Sequence, residues 1–164
     1  MLKQTIQDAF NKHINAEMYS SYLYLSMAAY LESENLSGMA HWMKIQANEE
    51  MSHAMKFFGF VVERGGRVTL GAIDAPPAGW NSPGALFEAV YKHECHVSSL
   101  IHALYELSGA EKDYASMSFL QKFIDEQVEE EAHSSAIAER MRAVGESKNG
   151  LYMMDHHLGK RAAG

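Results

Sequence analysis

The sequence predicts an all-α protein: a bundle of four long helices, with one long crossover loop between helices 2 and 3 and a short C-terminal fifth helix. Three observations predict it. Apolar residues recur at helical spacing along most of the chain. All three prolines, Pro76, Pro77 and Pro83, lie between Gly65 and Gly84, so no proline interrupts a helix elsewhere. A carboxylate stands in the interior of each predicted long helix, at Glu17, Glu50, Glu94 and Glu130. The whole chain, residues 1–164, is expected to be a single domain, large enough for a real core.

The first helix is expected over residues 4–32, with Phe10, Ile14, Met18, Leu25 and Ala28 as its apolar positions. Glu34-Asn35-Leu36-Ser37 breaks it, with Ser37 or Asn35 as candidate N-cap of the next helix. The second helix is expected over 37–64. Gly65-Gly66 closes it, because glycine readily takes the left-handed C-cap conformation. Residues 66–82 read as a loop around Ala75-Pro76-Pro77-Ala78-Gly79, which is long for a compact domain. Such a loop suits a connection running the length of the bundle. A helix of about 28 residues is about 42 Å long, and an extended loop of about 17 residues reaches roughly 55 Å. That would set the second and third helices parallel. The third helix is expected over 83–108, from N-cap Ser82 and first-turn Pro83 to a stop at Gly109. The fourth is expected over 112–144, stopped by Gly145. After Asn149-Gly150, the apolar run Leu151-Tyr152-Met153-Met154 predicts a short packing helix over 150–158.

Composition narrows the function. The net charge is -7, and the only basic cluster is Lys160-Arg161, which excludes a nucleic-acid surface. An acidic protein is better suited to attracting cations. Cys95 is the single cysteine, so neither an intrachain disulfide nor a CxxC metal site is possible. That is compatible with the reducing cytoplasm, where the protein is expected to work. Met1-Leu2-Lys3-Gln4-Thr5 opens no apolar signal-peptide core. No stretch approaches the roughly 18 apolar residues of a membrane span, so no membrane partner is expected.

The chemistry sits in Glu49-Glu50-Met51-Ser52-His53. Glu50-x-x-His53 puts a carboxylate and an imidazole on one helix face, where the two can hold one metal ion. Alone, the motif is weak, since a mid-helix glutamate is usually solvated. Joint placement changes that. Glu17 has Ile14, Met18 and Tyr24 as apolar neighbours. Glu50 and His53 share a stripe with Gln46 and Phe57. Glu94 is followed by Val97, Leu100 and Ile101, and Gln127 and Glu130 share a stripe with Phe123 and Ile124. Buried carboxylates are costly unless paired or metal-bound, and carboxylates projected into a four-helix bundle build a di-iron site. Oxygen-rich ligation without thiolate disfavours structural zinc, and histidine is a poor calcium ligand. Iron is the natural occupant, with manganese second. Glu126, Glu129 and Glu130 could join Glu49 in a further cation site, whereas Glu131 reads equally as a solvated acid. His41, His93, His96 and His102 read as surface or boundary residues, and the eleven methionines as core filler. His133, in a second motif Glu130-x-x-His133, ranks below Gln127 and Glu130. Cys95-His96 has too few donors for a specific site.

Five segments taken together resemble the bacterial non-haem ferritins over essentially the whole chain. They are Glu17-Met18-Tyr19-Ser20-Ser21-Tyr22-Leu23-Tyr24, Gln46-Ala47-Asn48-Glu49-Glu50-Met51-Ser52-His53, Tyr91-Lys92-His93-Glu94, Glu126-Gln127-Val128-Glu129-Glu130-Glu131 and Gly150-Leu151-Tyr152. The resemblance implies a ferritin-like fold and a ferroxidase that oxidises Fe(II) to Fe(III) with dioxygen or peroxide. It implies a first iron on Glu17, Glu50 and His53, and a second on Glu50, Glu94 and Glu130, with Glu50 bridging and Gln127 close by. A third iron site would use Glu49, Glu126, Glu129 and Glu130. Tyr24 matches a tyrosine beside the centre, a candidate electron donor. The resemblance further implies a homo-oligomeric cage of 24 chains storing ferric mineral, with the fifth helix at its four-fold axes. Haem-containing relatives place histidine at the position of Glu130 and glutamate at that of Gln127, which argues against haem here, although Met51 stands where their haem methionine does. Rubrerythrins need a four-cysteine domain that this chain lacks. The DNA-binding mini-ferritins put their iron between subunits and often carry a basic tail. Two rival functions are a di-iron oxidase or peroxidase of a small molecule that stores nothing, and a cage with an idle centre.

Overall fold

A computed structural model of the protein describes residues Met1–Gly164 as five helices and no strand. They are α1 (Gln4–Ser33), α2 (Ser37–Glu63), α3 (Pro83–Ala110), α4 (Tyr114–Val144) and α5 (Lys148–Leu158). Two compact units contain them: residues Met1–Pro83 with Val144–Gly164, and residues Gly84–Ala143. No helix is long and apolar enough to cross a membrane.

In the first unit α1 and α2 run antiparallel. Leu2 N donates to Arg64 O at 3.1 Å, Ser21 Oγ to Ala47 O at 2.7 Å, and Lys44 Nζ to Glu32 Oε1 at 2.7 Å. Ile6, Phe10, Ile14, Met27 and Leu31 of α1 are buried, as are Met39, Met43, Phe57 and Val61 of α2. Phe10 and Phe57 meet edge to face with ring centroids 5.4 Å apart. Each such side chain contributes about 1.5–3 kcal/mol by leaving water. Leu25, expected in the apolar stripe, is instead exposed. It falls on the outer face with exposed Tyr22 and Ala29, at i−3 and i+4.

The turn between these helices also differs from expectation. Neither Asn35 nor Ser37 is the N-cap of α2. Asn35 takes the left-handed conformation (φ 59°) that finishes α1, with Leu36 N donating to Leu31 O at 2.9 Å. Leu36 is the N-cap residue and supplies no side-chain cap. The cap comes from α5: Asp155 Oδ1 accepts from Met39 N at 2.8 Å. At the other end Gly65 (φ 72°) closes α2 as expected, with Gly66 N donating to Val61 O at 2.8 Å.

Residues 66–82 have no regular structure beyond a bend at Asn81 and lie along α1 from its first turn to its last. Arg67 N donates to Gln7 Oε1 (2.8 Å), and Thr69 N to Asn11 Oδ1 (3.2 Å). Asn11 Nδ2 donates back to Arg67 O (3.0 Å), Asn15 Nδ2 to Ala72 O (3.1 Å) and Ser26 Oγ to Pro77 O (2.6 Å). Finally the Tyr30 and Trp80 rings meet at 5.6 Å. Side chains of one helix thus satisfy the polar backbone of a loop that has no ladder of its own.

α5 begins two residues earlier than expected, because Ser147 caps it by accepting from Gly150 N at 3.2 Å. It approaches the start of α2 so closely that a Cβ on Gly38 would lie 1.9 Å from Asp155 O.

In the second unit α3 runs through Gly109, the expected stop, to Ala110. One glycine costs a helix only about 1 kcal/mol. The left-handed residue is Lys112 (φ 56°), and Asp113 caps α4 by accepting from Ser116 N at 3.0 Å, so α4 opens at Tyr114 rather than at 112. Gly145 (φ 56°) closes α4 as expected. Leu86, Phe87, Val90, Val97 and Ile101 are buried on α3, and Leu120, Phe123, Ile137 and Met141 on α4. The Arg142 guanidinium donates to the Glu88 carboxylate, joining the two helices.

Candidate metal centre

Three expected ligands come together in the first unit. Glu17 on α1 faces Glu50 and His53 on α2, and one ligand atom from each lies within 4.8 Å of the others. Glu17 and Glu50 are buried, and His53 is largely so. His53 Nδ1 is 3.4 Å from Glu50 Oε2 and 4.0 Å from Glu17 Oε2. The Glu50-His53 spacing of one turn brings both side chains to this point, and the antiparallel pairing brings Glu17 opposite. Glu50 Oε1 accepts from Gln46 Nε2 at 3.0 Å. Glu17 Oε1 accepts from His13 Nε2 at 2.7 Å, and Glu17 Oε2 has no hydrogen-bond partner although it is buried. Burial pushes the Glu17 carboxyl up. The His13 hydrogen bond and charge, with smaller help from the His53 charge, outweigh it and hold the group below the ordinary glutamate value. An ionised, buried oxygen without a donor costs free energy unless a cation meets it. Two carboxylates and one imidazole suit a divalent first-row metal such as Fe(II) or Mn(II).

A second pair of expected residues meets in the other unit. Glu94 on α3 and Gln127 on α4 are both buried. Gln127 Nε2 lies 3.2 Å from Glu94 Oε2, from Glu94 O and from Ser98 Oγ. The amide donates to the carboxylate and orients it. Glu130, three residues on from Gln127, is half-buried. Tyr24 is fully buried, seven residues after Glu17 on α1.

The other acidic residues differ among themselves. Glu126 is half-buried and Glu129 exposed. Glu49 is not open: Arg161 Nη2 donates to its Oε2 at 2.7 Å. The same guanidinium donates through Nη1 to Gln46 Oε1 at 2.9 Å and lies 4.5 Å from the centre of the Trp42 ring. A chain of contacts therefore runs from Arg161 through Gln46 to Glu50. Met51 and His133 are exposed, as are His41, His96 and His102, while His93 is half-buried.

Sequence reasoning missed His13 and Arg161. His13 had a signal, because it stands four residues before Glu17 and so on the same face. Arg161 had none, since its partners lie more than 100 residues away.

Comparison with known proteins agrees with this fold. The chain is 45% identical over 161 residues to the bacterial non-heme ferritin of Bacteroides fragilis, covering 98% of this chain and all of the relative. The open pore ferritin of the archaeon Archaeoglobus fulgidus superposes with a TM-score of 0.97 at 49% identity, covering 99% of both chains. A closed form of that ferritin, engineered by mutagenesis, superposes with a TM-score of 0.98 at 48% identity over the full length of both. The fold class is therefore the all-α ferritin-like four-helix bundle with a short fifth helix. A profile of the ferritin-like domain matches residues 7–144, and with it the chain belongs to the ferritin family.

Proposed function

We propose that this protein is a ferroxidase that stores iron. One observation carries the reading: in a chain of the ferritin family, the buried cluster of Glu17, Glu50 and His53 leaves Glu17 Oε2 without a donor. Fe(II) is the substrate. The first Fe(II) is held by Glu17, Glu50 and His53. The second is held by Glu50, Glu94 and Glu130, with Gln127 keeping Glu94 in place. Each Fe(II) gives up one electron, and dioxygen or peroxide accepts the pair with two protons. The carboxylates stabilise the added positive charge as Fe(III) forms. Tyr24, buried two turns after Glu17 on α1, is the candidate donor of a further electron. Glu49, Glu126, Glu129 and Glu130 serve a third iron, once Arg161 gives up Glu49. The chain assembles with copies of itself, as a cage of 24 in the cytoplasm, and ferric mineral collects inside. Each chain works as one domain.

The test is an aerobic Fe(II) titration of metal-free protein, following ferric absorbance. A fast phase saturating at about two or three irons per chain, followed by slow uptake of far more soluble iron, is the expected result. A Glu17→Ala/His53→Ala variant should lose at least about 10–100-fold in the fast rate, since disturbing even a ligand's hydrogen-bond partner costs that much. A fast phase without further uptake would mean an enzyme that stores nothing. Oxidation no faster than that of free Fe(II) would refute the centre itself.

A further inference from the structure

His13 is a buried histidine with no part in the metal cluster. It is 3% exposed, and its ring centroid is 4.5 Å from that of Phe57. Its Nε2 lies 2.7 Å from Glu17 Oε1, and Glu17 is only 1% exposed. An ionised carboxylate only accepts, so Nε2 carries the hydrogen and donates. The two oxygens of Glu17 thus stand in different conditions. Oε1 is engaged by His13, and Oε2 has no hydrogen-bond partner and faces His53 Nδ1 at 4.0 Å. A carboxylate with both oxygens free can chelate one metal ion, swing between two, or bind through one oxygen. With one lone pair of Oε1 taken by a packed ring, the last is the mode the geometry favours. His13 stands one helical turn from Glu17 on the same helix, so the bond lies within α1.

We propose that His13 is a positioning residue of the metal centre: by holding Oε1 it makes Glu17 a one-oxygen ligand that binds through Oε2. The proposal rests on the reading of Glu17, Glu50 and His53 as metal ligands. Outer partners of this kind fix the orientation of a ligand, and their loss costs about 10–100-fold in metal affinity.

The test uses full-length, metal-free protein and Co(II) as an oxygen-insensitive probe, titrated calorimetrically and by visible absorption. His13→Ala should bind Co(II) at the centre about 10–100-fold more weakly. Its absorption should also weaken as Glu17 chelates and the coordination number rises. His13→Gln, which keeps an N–H donor, should restore both quantities. Wild-type affinity and spectrum in His13→Ala would overturn the proposal. A second measurement needs no His13 variant. The Co(II)-induced infrared difference spectrum of the wild type, minus that of Glu17→Gln, isolates the Glu17 carboxylate. A wide separation of its two stretching bands is expected for one-oxygen binding, and the narrow separation of a chelate would overturn the proposal. If Glu17→Ala/His53→Ala binds Co(II) as the wild type does, the ligand assignment itself fails, which is a different result from either.

Discussion

At the residue scale Glu17 carries the most consequence. Its folded carboxyl is held below the ordinary glutamate value of 4.5. A depressed carboxyl contributes stability that is fully present above the unfolded value and is lost as pH falls through the folded one. The metal-free protein should therefore lose part of its stability below about pH 4.5, and Glu17→Gln should lack that part of the acid limb. Thermal melts of both proteins across pH 3–7 check this. A parallel acid limb in the two would show that Glu17 is not ionised when buried. What the sequence disclosed at this scale follows from spacing. Glu50 and His53 were legible because one turn separates them, and Glu17 because apolar residues flank it. His13 obeyed the same rule but looked like any histidine, since its meaning depends on which oxygen of Glu17 it takes. The role of Arg161 was illegible, because nothing local ties a tail residue to Glu49 and Gln46.

At the element scale the long helices were legible to within two residues at every end, and the offsets and missed caps have physical causes. A sequence-based reading seeks caps nearby in the chain, yet the group that caps α2 is Asp155, 116 residues away. Gly109 looked like a stop, yet Lys112 and Asp113 do that work. α5 docks by close backbone approach: Gly38 admits the Asp155 carbonyl, and a Cβ on Gly159 would be 3.0 Å from Gly38 Cα. Asp155→Ala should then cost about 0.5–2 kcal/mol, the worth of an N-cap. Gly38→Ala should do more, because its Cβ would meet backbone at 1.9 Å and α5 must move off α2. Amide hydrogen exchange checks this segment by segment. Residues 148–158 should lose protection in Gly38→Ala while α1 keeps its own. Unchanged protection of α5 would mean that the approach yields without cost.

At the scale of the whole molecule, the sequence pointed to an all-α bundle, and the loop shows why length alone was informative. Residues 66–82 had to span a long helix, and they do so along α1, bound in order by Gln7, Asn11, Asn15, Ser26 and Tyr30. What one chain does not satisfy is its own apolar surface. Tyr152 and Met153 of α5 are 63% and 74% exposed, while Met154 and Leu158 on the same helix are buried. An 11-residue helix with apolar groups on two sides leaves its second side open for a partner to cover. In a homo-oligomer that partner is another copy of the chain, and the two-sided α5 is then an assembly element. Replacing both residues, Tyr152→Glu and Met153→Glu, puts like charges where copies of α5 would meet. The helix should stay docked on α2, because Met154, Leu158 and the Asp155 cap are untouched. Light scattering should then show a particle of lower mass than the wild type, or one that falls apart at lower protein concentration, with the helix content unchanged. The fast Fe(II) phase should persist, since Glu17, Glu50 and His53 lie on α1 and α2, while slow uptake of further iron should fall. A variant that keeps the wild-type mass would place the assembly contacts elsewhere, with exposed Tyr22, Leu25, Leu70 and Ile73 as the next surface to substitute.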